Sequence, residues 1–133
     1  MDRYIIFADD DADDLELITS YFRQYDPSVK VVELKDGKEV VQFLEVYAKH
    51  SSKPLLVVLD MNMPRMNGKE TVIKIRSHSL LKDIPILIYS TSNNKSEAAF
   101  CQDHLVTWVT KPSSVQGVKE VAKVLAEFCK TQL

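Results

Sequence analysis

The sequence predicts an α/β fold, a five-stranded parallel sheet with helices on both faces. Three observations predict it. Five short apolar or β-branched runs alternate with five segments of helical spacing, the pattern of a sheet built from strand–helix–strand crossovers. Two of the runs, Tyr4-Ile5-Ile6-Phe7-Ala8 and Leu55-Leu56-Val57-Val58-Leu59, are continuously apolar, as strands buried on both faces must be. At 133 residues the chain has the length of one domain.

The elements follow in order. Tyr4 to Ala8 is the first strand. Residues 9 to 16 then hold six of the 19 acids, so an acidic turn follows it. Leu15, Ile18 and Phe22 fall at helical spacing, and Asp11 or Asp13 caps the helix they define. Val31 to Leu34 is the second strand. Asp36 and Glu39 have the spacing of a capping box, opening a helix that runs through Val40, Val41, Phe43, Leu44 and Tyr47. His50 to Pro54 is a loop. Leu55 to Leu59 is a central strand ending at Asp60, and Met61 to Gly68 is a loop leading into a helix over Lys69 to Ser77. Ile84 to Tyr89 is the fourth strand, with Pro85 near its start where it disturbs the ladder least. Lys95 to Asp103 is a helix and Val106 to Val109 the last strand. Val115, Val118, Val121, Ala122, Leu125 and Phe128 mark the final helix. Five strands in an open sheet suit a doubly wound, flavodoxin-like order, 2-1-3-4-5.

Composition narrows the function classes. With 45% hydrophobic and 27% charged residues, the chain is neither disordered nor fibrous. Lys and Arg total 17 against 19 acids, a formal charge of −2, which argues against a dedicated nucleic-acid binder. No apolar run reaches the ~18–20 residues of a membrane span, and the run after Met1-Asp2-Arg3 is too short for a signal peptide. The expected location is the cytoplasm. Cys101 and Cys129 have no metal-ligand spacing and read as buried thiols. His50, His78 and His104 read as solvated or packing residues, as do Arg65, Lys69 and Lys95 on the surface. No glycine-rich turn follows the first strand, which excludes a dinucleotide site.

In open α/β sheets, ligands bind beyond the carboxyl ends of the strands. Here those ends carry Asp9 and Asp10, then Asp60, then Ser90 and Thr91, then Lys111-Pro112. Close carboxylates repel, and one lysine cannot neutralise three. A hard divalent cation resolves the repulsion, and Mg2+ prefers carboxylate and carbonyl oxygens together with phosphate. A hydroxyl and an ammonium suit the remaining oxygens of a phosphoryl group. The residues thus read as a Mg2+-dependent phosphoryl site with a carboxylate nucleophile. Asp60, ending the most apolar strand, is the expected nucleophile. Asp9 and Asp10 hold the metal, and Met61 or Asn62 offers a backbone carbonyl. Ser90 and Lys111 bind phosphoryl oxygens. Asp11, Asp13 and Asp14 read as helix-start acids.

These pieces, with the segment Val57-Val58-Leu59-Asp60-Met61-Asn62-Met63-Pro64-Arg65-Met66-Asn67-Gly68, resemble the receiver domain of two-component response regulators, the CheY-like family. The resemblance covers nearly the whole chain, and its four motifs stand in order at consecutive strand ends. It implies a single receiver domain over residues 1–133 with no output domain. Asp60 is then the phospho-acceptor, and Asp10 ligates Mg2+ directly. Asp9 shares the site partly through water, and the Asn62 carbonyl and Asp60 complete the protein's ligands. Ser90 is the switch hydroxyl, Lys111 the phosphate-pairing lysine, and the Lys111–Pro112 bond cis. Trp108 falls at the family's rotating aromatic position, where its indole N–H needs a partner if buried; ordinary core packing is the other reading of it.

The implied partners are a sensor histidine kinase or phosphotransfer protein and a downstream protein. The downstream partner docks on the face of the fourth helix, fifth strand and fifth helix, where Lys95, Trp108, Lys119 and Lys123 are candidates. The chain is expected to be a monomer or weak homodimer without direct nucleic-acid contact, and an enzyme only toward its own phosphorylation and dephosphorylation. Two positions depart from the family's habit. Thr91 stands where alanine is common, beside the phosphoryl site. His104-Leu105 stands where Gly-Ala is common, and a positive φ is harder for histidine. Two alternatives remain: a docking module that works without phosphorylation, and a haloacid-dehalogenase-like phosphatase. Against the second, Asn62 stands two residues after Asp60, where that family needs an acid.

Overall fold

The computed structural model describes residues 3–48, 52–91 and 95–132. Five strands, β1 (Tyr4–Ala8), β2 (Lys30–Leu34), β3 (Val57–Leu59), β4 (Ile86–Ser90) and β5 (Thr107–Thr110), pair in parallel in the order β2-β1-β3-β4-β5. That is the predicted order. The helices are α1 (Ala12–Tyr25), α2 (Gly37–Phe43), α3 (Gly68–Ser77), α4 (Lys95–Asp103) and α5 (Val115–Thr131). His50 and Ser51, within the predicted loop, lie outside the described residues.

Side chains alternate across the sheet because the strand period is two. Ile5, Phe7, Val58 and Leu87 pack under α1 and α5, against Ile18, Phe22, Ala122 and Leu125. Ile6, Leu59 and Ile88 pack on the other face, against Val40, Val72, Ile75 and Cys101 from α2, α3 and α4. The register Ala8↔Leu59↔Ile88↔Trp108 aligns four strand ends. The residues that follow each of them therefore emerge along one edge.

Local signals explain the helix starts. Asp11 caps α1 by accepting from the N–H groups of Asp13 and Asp14, both at 3.1 Å, so Asp11 and not Asp13 is the cap. Asp36 caps α2 through the Glu39 N–H at 2.9 Å. The Glu39 carboxylate accepts instead from Lys35 N–H at 2.8 Å, so the predicted box closes one residue early. A reciprocal box forms at α3, where Asn67 and Glu70 bond each other's backbone N–H. Beyond α2 the chain widens into a π-helical turn over Leu44–Ala48, which stacks Tyr47 on Phe43 at 4.6 Å.

Several boundaries move. The β3 ladder is regular only from Val57, although Leu55 N–H already reaches the Tyr4 carbonyl at 2.8 Å. β4 begins at Ile86 because Pro85 has no N–H for the ladder; its carbonyl still accepts from Val57 at 2.9 Å. Among the described residues no peptide bond is cis. The expected cis Lys111–Pro112 bond is therefore trans, the lower-energy isomer. The positive φ near the end of α4 falls on Leu105 (55°) and not on His104, whose ring instead packs on Phe100 at 4.2 Å.

Arg65, expected to be solvated, also takes a positive φ, 62°. Its guanidinium pairs with Asp36 at 2.7 Å and ties the loop after β3 to the start of α2. The Asp36 carboxylate is 5% exposed. Burial alone would raise its pKa, but the Glu39 N–H and Arg65 outweigh burial and hold it below the ordinary carboxylate value. An acid with a depressed folded pKa contributes stability above its unfolded pKa and loses it as pH falls through the folded one. Arg65→Ala is expected to cost about 1–2 kcal/mol at pH 7, since the arginine is half-exposed and water replaces part of the pair. The deficit narrows below about pH 4. Urea unfolding at pH 7 and pH 3.5 checks this, and an equal deficit at both would contradict it.

Candidate functional site

The carboxyl edge of the sheet collects the charged residues. Asp9 follows β1, Asp60 follows β3, and both are buried, at 6% and 8% exposure. Asp10 is exposed beside them. One carboxylate oxygen from each of the three lies within 4.8 Å of the others. Lys111 enters from the end of β5, its backbone N–H bonded to the Ser90 carbonyl at 2.9 Å. Its ammonium meets Asp9 at 2.7 Å and Asp14 at 2.9 Å, and stands 3.7 Å from Asp60.

The charges do not balance. Burial pushes the Asp9 carboxyl up to about 6; the Lys111 hydrogen bond and the Asp11 N–H oppose this, and the Asp60 charge adds to it. Burial would depress Lys111, but its bonds to Asp9 and Asp14 outweigh burial and raise it, so the ammonium stays charged. Among the described residues, Asp9, Asp14 and Asp60 stand around the Lys111 ammonium, and Asp10 adds a further carboxylate beside Asp9 and Asp60. Such a hard oxygen cluster is the donor set a divalent ion takes.

The loop after Asp60 is held from both ends. Gly68 N–H bonds the Met61 carbonyl at 2.9 Å. No backbone N–H among the described residues bonds the Asn62 carbonyl, so Asn62 keeps the carbonyl that Met61 has already committed. A Cβ on Gly68 would stand 2.6 Å from the Asp60 carbonyl oxygen, so the start of α3 presses on the backbone that carries Asp60.

Ser90 is fully buried at the end of β4. Thr91 is exposed and lines an open cleft of about 230 Å3 with Asp14, Tyr89, Lys111 and Pro112. Trp108 is half-buried against the cluster that holds Ile88, and its buried indole N–H has no hydrogen-bond partner among the described residues. The candidate docking lysines separate. Lys123 is exposed on α5. Lys119 turns its ammonium over the Tyr21 ring at 5.3 Å, toward α1 and away from the expected face. The Lys95 side chain lies outside the described residues. Lys69, expected to be solvated, pairs with Glu97 of α4 at 3.0 Å.

Two site residues went unread in the sequence. Asp14 bonds Lys111 as well as sitting in the first turn of α1; its spacing of four from buried Ile18 puts it on the sheet-facing stripe, which was the available signal. Tyr89 lies under the ammonium, 5.8 Å from ring centroid to Nζ, and burial pushes its hydroxyl up to about 12. Nothing in the local pattern singles out Tyr89.

A doubly wound sheet with this acidic edge is the architecture of a signalling receiver. Residues 5–123 match the response regulator receiver domain, and the chain belongs to that family. Response regulator Rcp1 of Synechocystis sp. is 24% identical over 129 residues, 95% of this chain and 88% of the relative. Chemotaxis protein CheY1 of Helicobacter pylori (strain 26695) is 33% identical over 96 residues, 71% of this chain and 74% of the relative. The crystal structure of the phosphorylated cyanobacterial phytochrome response regulator RcpA superposes with a TM-score of 0.88 at 27% identity, covering 100% of this chain and 97% of that one. The Mn(2+)-bound form of response regulator Rcp1 gives 0.85 at 23% identity, covering 95% and 93%. Receiver domains of two-component systems are signalling switches that meet histidine kinases or phosphotransfer proteins and downstream partners. No helix among the described residues is long and apolar enough to cross a membrane.

Proposed function

We propose that this chain accepts a phosphoryl group on Asp60 from the phosphohistidine of a sensor histidine kinase or phosphotransfer protein, and signals the change to a partner protein. The observation that carries the reading is Asp60 itself. It is a buried carboxylate ending the central strand, within 4.8 Å of two further acids and 3.7 Å from a buried ammonium. In the transfer, one Asp60 oxygen forms the new bond to phosphorus. The donor's P–N bond breaks, and the imidazole nitrogen leaves with the electron pair.

Asp9, Asp10, Asp60 and the Asn62 carbonyl would hold Mg2+. The excess negative charge of the three carboxylates and the push on Asp9 fit a divalent ion, and the similar Rcp1 has been solved with Mn(2+). The ion supplies charge neutralisation for the incoming phosphoryl oxygens. Lys111 pairs with one of those oxygens, and Ser90 donates its hydroxyl to another. Thr91, at the mouth of the neighbouring cleft, governs water access. The added charge, roughly −1.5 to −2 at neutral pH, biases β5 and α4, where Trp108 reports the change to a docking face shared with α5 and Lys123. The chain works as a single receiver domain in the cytoplasm, as a monomer or weak homodimer, without direct nucleic-acid contact. Its only catalysis is of its own phosphorylation and dephosphorylation.

The test is intact mass after incubation with acetyl phosphate and Mg2+, with Trp108 fluorescence followed in the same tube. The wild type is expected to gain one phosphoryl group; Asp60→Asn, and the wild type without Mg2+, gain none. A label that persists in Asp60→Asn would overturn the assignment.

A further inference from the structure

The Lys111 ammonium has three N–H bonds to give. Two reach carboxylates within hydrogen-bond range, Asp9 at 2.7 Å and Asp14 at 2.9 Å, while Asp60 at 3.7 Å is beyond it. Asp14, the third residue of α1, lines the open cleft together with Lys111 and is not one of the three carboxylates grouped within 4.8 Å. Lys111 is therefore shared between the cluster and α1. A phosphoryl group on Asp60 brings three acceptor oxygens. To pair with one, the ammonium must move toward β3. Asp9 lies in that direction, in the cluster with Asp60. Asp14 is outside that group, and with 42% of its side chain exposed against 7% for Asp9 it is the partner water most readily replaces.

We propose that Asp14 is a positioning residue that holds Lys111 off Asp60 in the unphosphorylated chain and so slows phosphoryl uptake. This rests on the phospho-accepting reading above. The contact exists in the ground state and is given up in the transition state and the product. Its loss lowers the barrier to uptake and leaves the barrier to loss unchanged.

The test uses phosphoramidate and Mg2+ with the full chain. An Asp60 oxygen bonds phosphorus as the P–N bond breaks, and the nitrogen, which already carries three protons in the zwitterionic donor, leaves with the electron pair as ammonia. Asp14→Asn is compared with Asp13→Asn, which removes a neighbouring exposed acid that makes no ion pair with Lys111. Asp14→Asn is expected to take up phosphate about twofold to fivefold faster than Asp13→Asn, the size of one partly exposed ion pair. Its decay after donor removal stays within about twofold of wild type. Equal uptake by the two variants, slower uptake by Asp14→Asn, or a matched rise in decay would each overturn the proposal while the wild type still labels. A wild type that takes up nothing sinks the phospho-accepting reading and this inference together.

Discussion

Gly68→Ala is expected to destabilise the chain by about 3 kcal/mol and to slow phosphoryl uptake by the remaining folded protein at least tenfold. Helix propensity alone predicts the opposite sign, because alanine in place of glycine inside a helix gains up to about 1 kcal/mol. Packing reverses it. The new methyl would stand 2.6 Å from the Asp60 carbonyl oxygen and 2.8 Å from the Met61 Cα. Both are backbone atoms, and no rotamer change relieves them. Overpacking of this kind costs about 1–3 kcal/mol, occasionally more, and here the strand end and the helix start are also joined by the bond from Gly68 N–H to the Met61 carbonyl. The shift falls on the residue proposed to carry the phosphoryl group, and misplacement by about 1 Å is worth two orders of magnitude in a positioned reaction. Urea unfolding at pH 7 and labelling by intact mass read the two effects separately. An unchanged midpoint with unchanged uptake would show that α3 has room to withdraw.

The candidate site is legible in the sequence for a physical reason. A parallel sheet sends every strand's carboxyl end to the same edge. Residues just after Ala8, Leu59, Tyr89 and Val109 had to meet once the runs were recognised as parallel strands, and the observed register aligns those ends to within a residue. What stayed hidden depends on the direction of long side chains. Lys119 has the spacing of an α5 surface residue, and only the packing of α5 on α1 turns it over Tyr21. Arg65 sits in a loop whose positive φ aims it at Asp36; periodicity has no bearing on a loop. Asp14 and Lys111 are 97 residues apart. A spacing rule puts Asp14 on the right face but does not name its partner.

Arg76 is the other residue whose role no local pattern reveals, and its loss is expected to cost about 3 kcal/mol. It lies in the last turn of α3, where a cation suits the helix dipole, and the sequence suggests nothing more. The structure makes it a clip between three segments. Nε donates to the His104 carbonyl at 2.8 Å, and Nη1 to those of Lys82 at 2.9 Å and Ile84 at 2.7 Å. Nη2 donates to the Leu105 carbonyl at 3.2 Å. The last of these holds a non-glycine residue at φ 55°, a conformation that costs roughly 1–2 kcal/mol. Hydrogen bonds from a charged donor are worth about 1.5–3 kcal/mol each. They do not add in full, because water reaches the partly exposed carbonyls once the guanidinium is gone. Arg76→Lys is expected to recover less than half of the loss, since one compact ammonium cannot span four acceptors set around a planar fork. Urea unfolding of Arg76→Ala and Arg76→Lys measures the energies. Amide exchange at Leu105 and Val106 shows where they act: protection there should fall first, ahead of β1 and β3. Phosphoryl uptake is expected to survive in both variants, because the clip joins the C-terminal end of α3 to the start of β4 while Asp60 stands at the N-terminal end of α3. Lysine matching arginine in stability would show that charge, and not the fork, holds the three segments together.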